Sequence, residues 1–390
     1  MKSKRTLTIL ALLLGLTLAT SASDLAIQSF NGTGQLTFNE LTTAQTYRVE
    51  WAPAPSGPWT NTWQSLAAIA AKGSGIVTCS VPMCYRVVAS FDSDYLVVDV
   101  SGGTGATKYA VSYLTSVPVG GWTDAHKTTN IVFRRIPATT GYTMGSPVGE
   151  LGRVIDETQH QVALSQDFYI GVFQVTQRQW ELVMGNKPSH FNNAAYYQTR
   201  PVERVSYYDI RGSSAGANWP ATNTVDASSF MGVLRTKTGK TFDLPTESQW
   251  EYACRAGTTT ALNSGYDLTN TSQDAHMDAV GRYYCNGGSG NTQNGDTSVG
   301  TAKVGSYQAN AWGLYDMHGN VWEWCLDWYG DYPGTVTDPK GATSGPDRVF
   351  RGGSWYAYAD YCRSAIRNSL DPSFPDNAIG FRACFVPPVQ

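Results

Sequence analysis

From about residue 130 onward the chain is rich in Trp, Gly and Asn and has few long periodic segments. A sequence of this kind cannot build long helices. With 39 Gly and 12 Trp it reads instead as short strands and long structured loops around an aromatic core. Two helices stand out. Thr176 precedes an amphipathic stretch, 177–184, that sets Trp180, Leu182, Val183 and Met184 on one face. Thr246 precedes another, with Glu247 in its first turn and Gln249 at capping-box spacing.

Residues 23–115 differ. Segments such as Leu36-Thr37-Phe38, 47–51 and 85–88 alternate apolar and polar residues, and Pro/Gly/Ser turns separate them. They predict a small all-β, sandwich-like domain. A further strand at 95–100 leads to a linker over 116–130, and a second domain occupies 131–386. The first 22 residues carry Lys2, Lys4 and Arg5, an apolar run from Leu7 to Leu18, and the small residues Thr20, Ser21 and Ala22. This is the pattern of a cleavable export signal, and the alternative is an uncleaved anchor. The apolar run is shorter than the ~20 residues that span a bilayer, and no later stretch is long and apolar enough to do so. A secreted, periplasmic or cell-surface protein is expected. The net charge of −3 gives no basic field for nucleic acid. Seven cysteines in an exported chain point to disulfides with one left over, and Cys79 and Cys84 flank a short loop where they could pair.

Seven collinear segments carry a resemblance. They are 133–147 (FRRIPATTGYTMGSP), 168–180 (FYIGVFQVTQRQW), 200–206 (RPVERVS), 244–257 (LPTESQWEYACRAG), 312–324 (WGLYDMHGNVWEW), 348–355 (RVFRGGSW) and Gly380-Phe381-Arg382. Together they resemble the sulfatase-modifying-factor, or formylglycine-generating-enzyme, family. The resemblance implies an α+β, loop-rich fold related to C-type lectins, here preceded by the all-β domain. It also implies a copper(I)- and O₂-dependent oxidase that converts a sulfatase cysteine to formylglycine. That chemistry needs two cysteines five positions apart, because soft thiolates hold Cu(I). Counted from Gly352-Gly353, Ala357 stands where the first would be and Cys362 where the second would be. Counted back from Gly380, Arg363 and Arg367 fall on family arginines. Cys362 then lies near a structural cysteine that pairs, in relatives, with the position of Cys254. Neither register yields a two-thiolate copper site.

The same resemblance assigns a structural Ca²⁺ to Asp316, Gly319, Val321 and Glu323, a hard-oxygen set of carboxylates and loop carbonyls. The alternative is that these carboxylates cap the loop and pair with arginines. A second family calcium site near Asn286 stays open. Ser354 and Trp322 match residues of the oxidase pocket, and Trp355 and Arg363 complete the expected binding pocket. Cys285 and Cys325 form a second candidate disulfide, leaving Cys384 odd. His126, His160, His190, His276 and His318 are too scattered for a helical metal motif.

Three functions compete. One is a divergent member that binds an extracellular peptide, protein or glycan. The second is an oxidase acting on exported sulfatases, which needs Cys362 free and a substitute thiol such as Cys384. The third is a variable surface-display protein of the C-type-lectin kind, suggested by the Tyr-, Asn-, Asp- and Ser-rich segment 356–377 between its GGSW and GFR frames.

Overall fold

The computed structural model describes residues 93–287 and 299–387 in full, together with the backbone of seven strands between Ser3 and Phe91. The chain divides into two units, Met1–Ser93 with 388–390, and Asp94–Pro387. Among its described residues the first unit is all β. One antiparallel sheet has the order Ser3–Ile9, Cys84–Phe91, Thr46–Ala52, Ile69–Ala70, and a smaller one joins Ile27–Phe30, Gln35–Phe38 and Ile76–Thr78. The alternating segments at 36–38, 47–51 and 85–88 are thus strands. Within 1–22, the segment expected to be an export signal, Ser3–Ile9 forms a strand paired antiparallel with Cys84–Phe91. The Cys79–Cys84 pairing lies outside the described residues.

The boundary falls at 93/94, not at 115. Tyr95–Asp99, in sequence the last strand of the expected first domain, hydrogen-bonds to Asn130–Ile136 of the second. The segment read as a linker carries a short helix, Ala125–Thr128. The second unit is built on a six-stranded antiparallel sheet with the order Phe242–Asp243, Cys384–Phe385, Phe168–Gly171, Asn130–Ile136, Tyr95–Asp99, Ala110–Leu114. A four-stranded sheet has the order Arg367–Leu370, Arg348–Arg351, Trp322–Trp328, Ile379–Gly380, the last pair parallel. A three-stranded sheet completes this α+β, loop-rich unit.

Both expected helices form with the expected caps. Thr176 accepts from Gln179 N, and Gln179 reaches back to the Thr176 N–H, starting the helix Gln177–Met184. Thr246 and Gln249 do the same for Glu247–Arg255. Each box satisfies backbone donors that a helix start otherwise leaves unpaired. The Trp180 ring stacks on Phe230 at 5.2 Å and meets Phe381 edge-on at 6.1 Å. Phe381 of the GFR segment is therefore core. Charged side chains also enter the interior in pairs: Arg211 with Asp243, Arg351 with Glu251, and Arg367 with Glu247. Among the described residues, no helix is long and apolar enough to cross a membrane.

Candidate functional site

An open cleft of about 410 Å³ lies beside the GGSW turn. Its buried side is Trp322, Phe350 and Ile379, contributed by three strands of the four-stranded sheet. Tyr356, Tyr358, Tyr361 and Phe374 stand around it, between 45% and 64% exposed. Ser354, Asn368 and Asp376 supply its polar atoms. Exposed aromatics gathered at one opening are unusual on a surface, and such patches mark recognition sites.

The turn that places this rim depends on Gly353. Its φ is +79°, and a Cβ there would lie 2.6 Å from Tyr361 O and 2.8 Å from Cys362 Cα. The segment after the turn folds back beneath it, so the Cys362 thiol packs under Gly353 and not into the cleft. Cys362 is fully buried, among Leu262, Met277 and Val280, and desolvation pushes its thiol pKa well up. A neutral thiol is a poor nucleophile and a poor metal ligand. At the other expected cysteine position, Ala357 lines the cleft. Cys384 sits elsewhere, on the six-stranded sheet, and its thiol is also pushed up by burial. Among the described residues no cysteine lines the cleft, so the donor set for a two-thiolate copper ion is not assembled there.

Of the residues expected in the pocket, Trp322 and Ser354 line it. The Ser354 hydroxyl accepts from Tyr356 N at 3.4 Å, which makes it part of the turn. Trp355 is buried beside the cleft, its indole donating to Asn377 O at 3.1 Å and its ring against Phe191. Arg363 points away. Its guanidinium bonds Glu150 Oε1 (2.5 Å), Glu157 Oε1 (2.6 Å) and Gly152 O (2.6 Å), with none of it exposed. Arg363 therefore holds loops together and is no binding residue.

Of the expected disulfides, Cys254–Cys362 and Cys285–Cys325 are not formed. Between Cys254 and Cys362 lies the imidazole of His318. Its Nε2 is 3.8 Å from Cys254 Sγ and 2.9 Å from Asn263 N, and its Nδ1 is 2.6 Å from Cys362 O. Because the Asn263 N–H donates to Nε2, the proton must sit on Nδ1, which donates to the Cys362 carbonyl. The two cysteines also pack in different apolar clusters. Cys325 lies in the core of the four-stranded sheet, whereas Cys285 bonds Ser272 O near the surface. They do not meet. Among the described residues, no three His, Cys, Asp or Glu side chains cluster as metal ligands.

The calcium loop also departs from expectation. The carbonyls of Asp316, Gly319 and Val321 converge with Glu323 Oε1, but on the side-chain nitrogen of Gln174. Of the Asp316 carboxylate, Oδ2 accepts from Gly305 N at 2.7 Å, and Oδ1 is buried with no hydrogen-bond partner among the described residues. Glu323 is paired with Arg382 at 2.6 Å. This set does not fit a calcium ion as it stands. Gln174, the residue at its centre, carries no signal in the sequence. Neither do Phe350, Leu370 and Phe374, which read there as ordinary strand or loop apolar residues.

Comparison with known proteins adds to this geometry. Residues 130–385 match the model of the sulfatase-modifying factor enzyme 1-like domain. The mouse formylglycine-generating enzyme is 26% identical over 317 residues, 72% of this chain and 82% of the mouse protein. The Thermomonospora curvata formylglycine-generating enzyme is 37% identical over 158 residues, and that match spans 37% of this chain and about half (49%) of that enzyme. Among solved structures, Treponema denticola variable protein 1 superposes with a TM-score of 0.51 at 27% identity, over 68% of this chain and 98% of that one.

Proposed function

The chain belongs to the sulfatase-modifying-factor family, and from that premise we propose that it is an exported member that binds a peptide or protein segment and does not oxidise cysteine. One observation carries the reading. The cleft where family chemistry would occur is lined by aromatic side chains and Ala357, while Cys362 is sealed beneath Gly353. Tyrosines give large, rigid contact area at low entropic cost, which suits recognition of a protein surface. The cleft volume admits an anchoring side chain or two. The basic, apolar leader over 1–22 supports export, and the ligand is accordingly extracellular.

Two measurements test this. Copper-loaded protein is incubated in air with a C-x-P-x-R peptide, and no aldehyde is expected by mass spectrometry. Aldehyde that disappears in Cys362→Ala would overturn the reading and make exported sulfatases the partners. Separately, peptides selected on the wild type from a display library should lose at least about tenfold in affinity on the Tyr356→Ala/Phe374→Ala double variant, as loss of ~1.4 kcal/mol or more implies. Equal binding by both proteins would refute the cleft assignment. Selection of glycans but no peptides would refute the ligand class.

A second reading rests on the clustering of exposed side chains from 356–376 at one opening, and on the likeness to a protein named as variable. In a display protein, the gene's 3′ end in sibling clones should differ at codons for Tyr356, Tyr358, Tyr361 and Phe374. Codons for Gly352, Gly353 and Phe381 should stay fixed. Identical ends with no nearby template repeat would remove it.

A further inference from the structure

We propose that the side-chain amide of Gln174 takes the place of a cation in the Asp316–Glu323 loop, so that this loop closes without calcium. Gln174 Nε2 lies 3.2 Å from Asp316 O, 3.2 Å from Gly319 O, 3.0 Å from Val321 O and 2.9 Å from Glu323 Oε1. Four oxygens around one point is the arrangement a cation gathers. An amide NH₂ has only two protons to share among them. The separations are those of hydrogen bonds, whereas calcium draws its oxygens to ~2.3–2.6 Å. The ring of oxygens is therefore sized for nitrogen.

Charge and ligand count agree with that assignment. Calcium takes about six to eight oxygens and favours anionic ones. The only carboxylate oxygen in this ring belongs to Glu323, and its charge is already matched: Arg382 Nε reaches Oε2 at 2.6 Å and Arg382 Nη2 reaches Oε1 at 2.7 Å. Trp250 Nε1 donates to Oε2 as well, at 2.6 Å. A divalent ion would stand beside a guanidinium, with one neutralised carboxylate to hold it.

The amide cannot easily retreat. Gln174 is fully buried, and the chain is tied by backbone bonds two residues before it, Val172 N to Val132 O, and directly after it, Val175 N to Phe381 O. Gln174 Oε1 is buried with no hydrogen-bond partner among the described residues, so the side chain is held through its nitrogen alone. Turning the amide over would set Oε1 against four oxygens unless a cation lay between them. That makes the response of the wild type to calcium decisive.

The test is differential scanning calorimetry of the full chain in EGTA and in excess calcium chloride. The wild-type melting temperature is expected to be the same in both. Gln174→Glu puts a second carboxylate into the ring and should become calcium-dependent, gaining ~5 °C or more when calcium exceeds its Kd about a hundredfold. Gln174→Ala, which removes the amide and adds no charge, should melt lower than the wild type in both buffers. Should Gln174→Glu fail to fold in EGTA, refolding on calcium addition is the same result in stronger form. A calcium shift in the wild type equal to that of Gln174→Glu would overturn the proposal. So would the absence of any calcium response in Gln174→Glu, because the oxygen ring would then be no cation shell.

Discussion

Arg363→Ala is expected to destabilise the second unit by about 3–5 kcal/mol while leaving the affinity of any cleft ligand unchanged in the protein that remains folded. The arginine is wholly buried, and its fork spans Glu150 and Glu157. Removing it strands two carboxylates in the interior. Burial already raises the Glu150 pKa against the pull of Arg363, so without the guanidinium that group should take up a proton. Glu157 would lose both of its Arg363 bonds, at 2.6 and 2.8 Å. Lysine should rescue poorly, since a single ammonium cannot reproduce a planar fork shared by two carboxylates and Gly152 O. Urea unfolding of wild type, Arg363→Ala and the milder Glu150→Gln measures the effect. Unchanged stability with weakened ligand binding would return Arg363 to the binding site.

Acid should unfold the protein through His318, losing about 3 kcal/mol between pH 6.5 and pH 4. Burial lowers the imidazole pKa from its ordinary 6.5 to about 4, chiefly by desolvation. In that interval the unfolded chain binds a proton that the folded one refuses, so stability falls as pH falls. Above pH 6.5 both states hold a neutral ring and the contribution is flat. The geometry gives the same sign. A proton on Nε2 would end the bond from Asn263 N and place a charge against the Cys254 thiol. His318→Gln, which can still accept from Asn263, should show a shallower loss between pH 6.5 and pH 4. Equal slopes for the two proteins would refute the assignment.

What the sequence disclosed was local, and what it concealed was assembled from distant pieces. The capping boxes at Thr176 and Thr246 lie within four residues and were readable. So was the loss of a cysteine at Ala357. The domain boundary was not, because Tyr95–Asp99 reads as one more β-rich segment after the strands before it, and only its partner at 130–136 shows where it belongs. Arg363 looked available for a ligand because its acceptors lie 206 and 213 positions earlier. The Cys254–Cys362 pairing came from the resemblance alone, and the imidazole between those two cysteines has no trace in their spacing. Gln174 was hidden for the same reason: one amide in an apolar strand edge says nothing until a loop 142 residues later folds onto it.

The short strand Cys384–Phe385 sits between Phe168–Gly171 and Phe242–Asp243, so it is the seam of the main sheet. Both of its neighbours are translated long before it. Until residue 385 has emerged, Tyr169 and Phe242 lack the Phe385 ring that packs on each of them. A nascent chain of this kind carries an open seam through most of its synthesis, exposed to strand pairing with other chains. Its assembly is consequently a late, long-range and slow event.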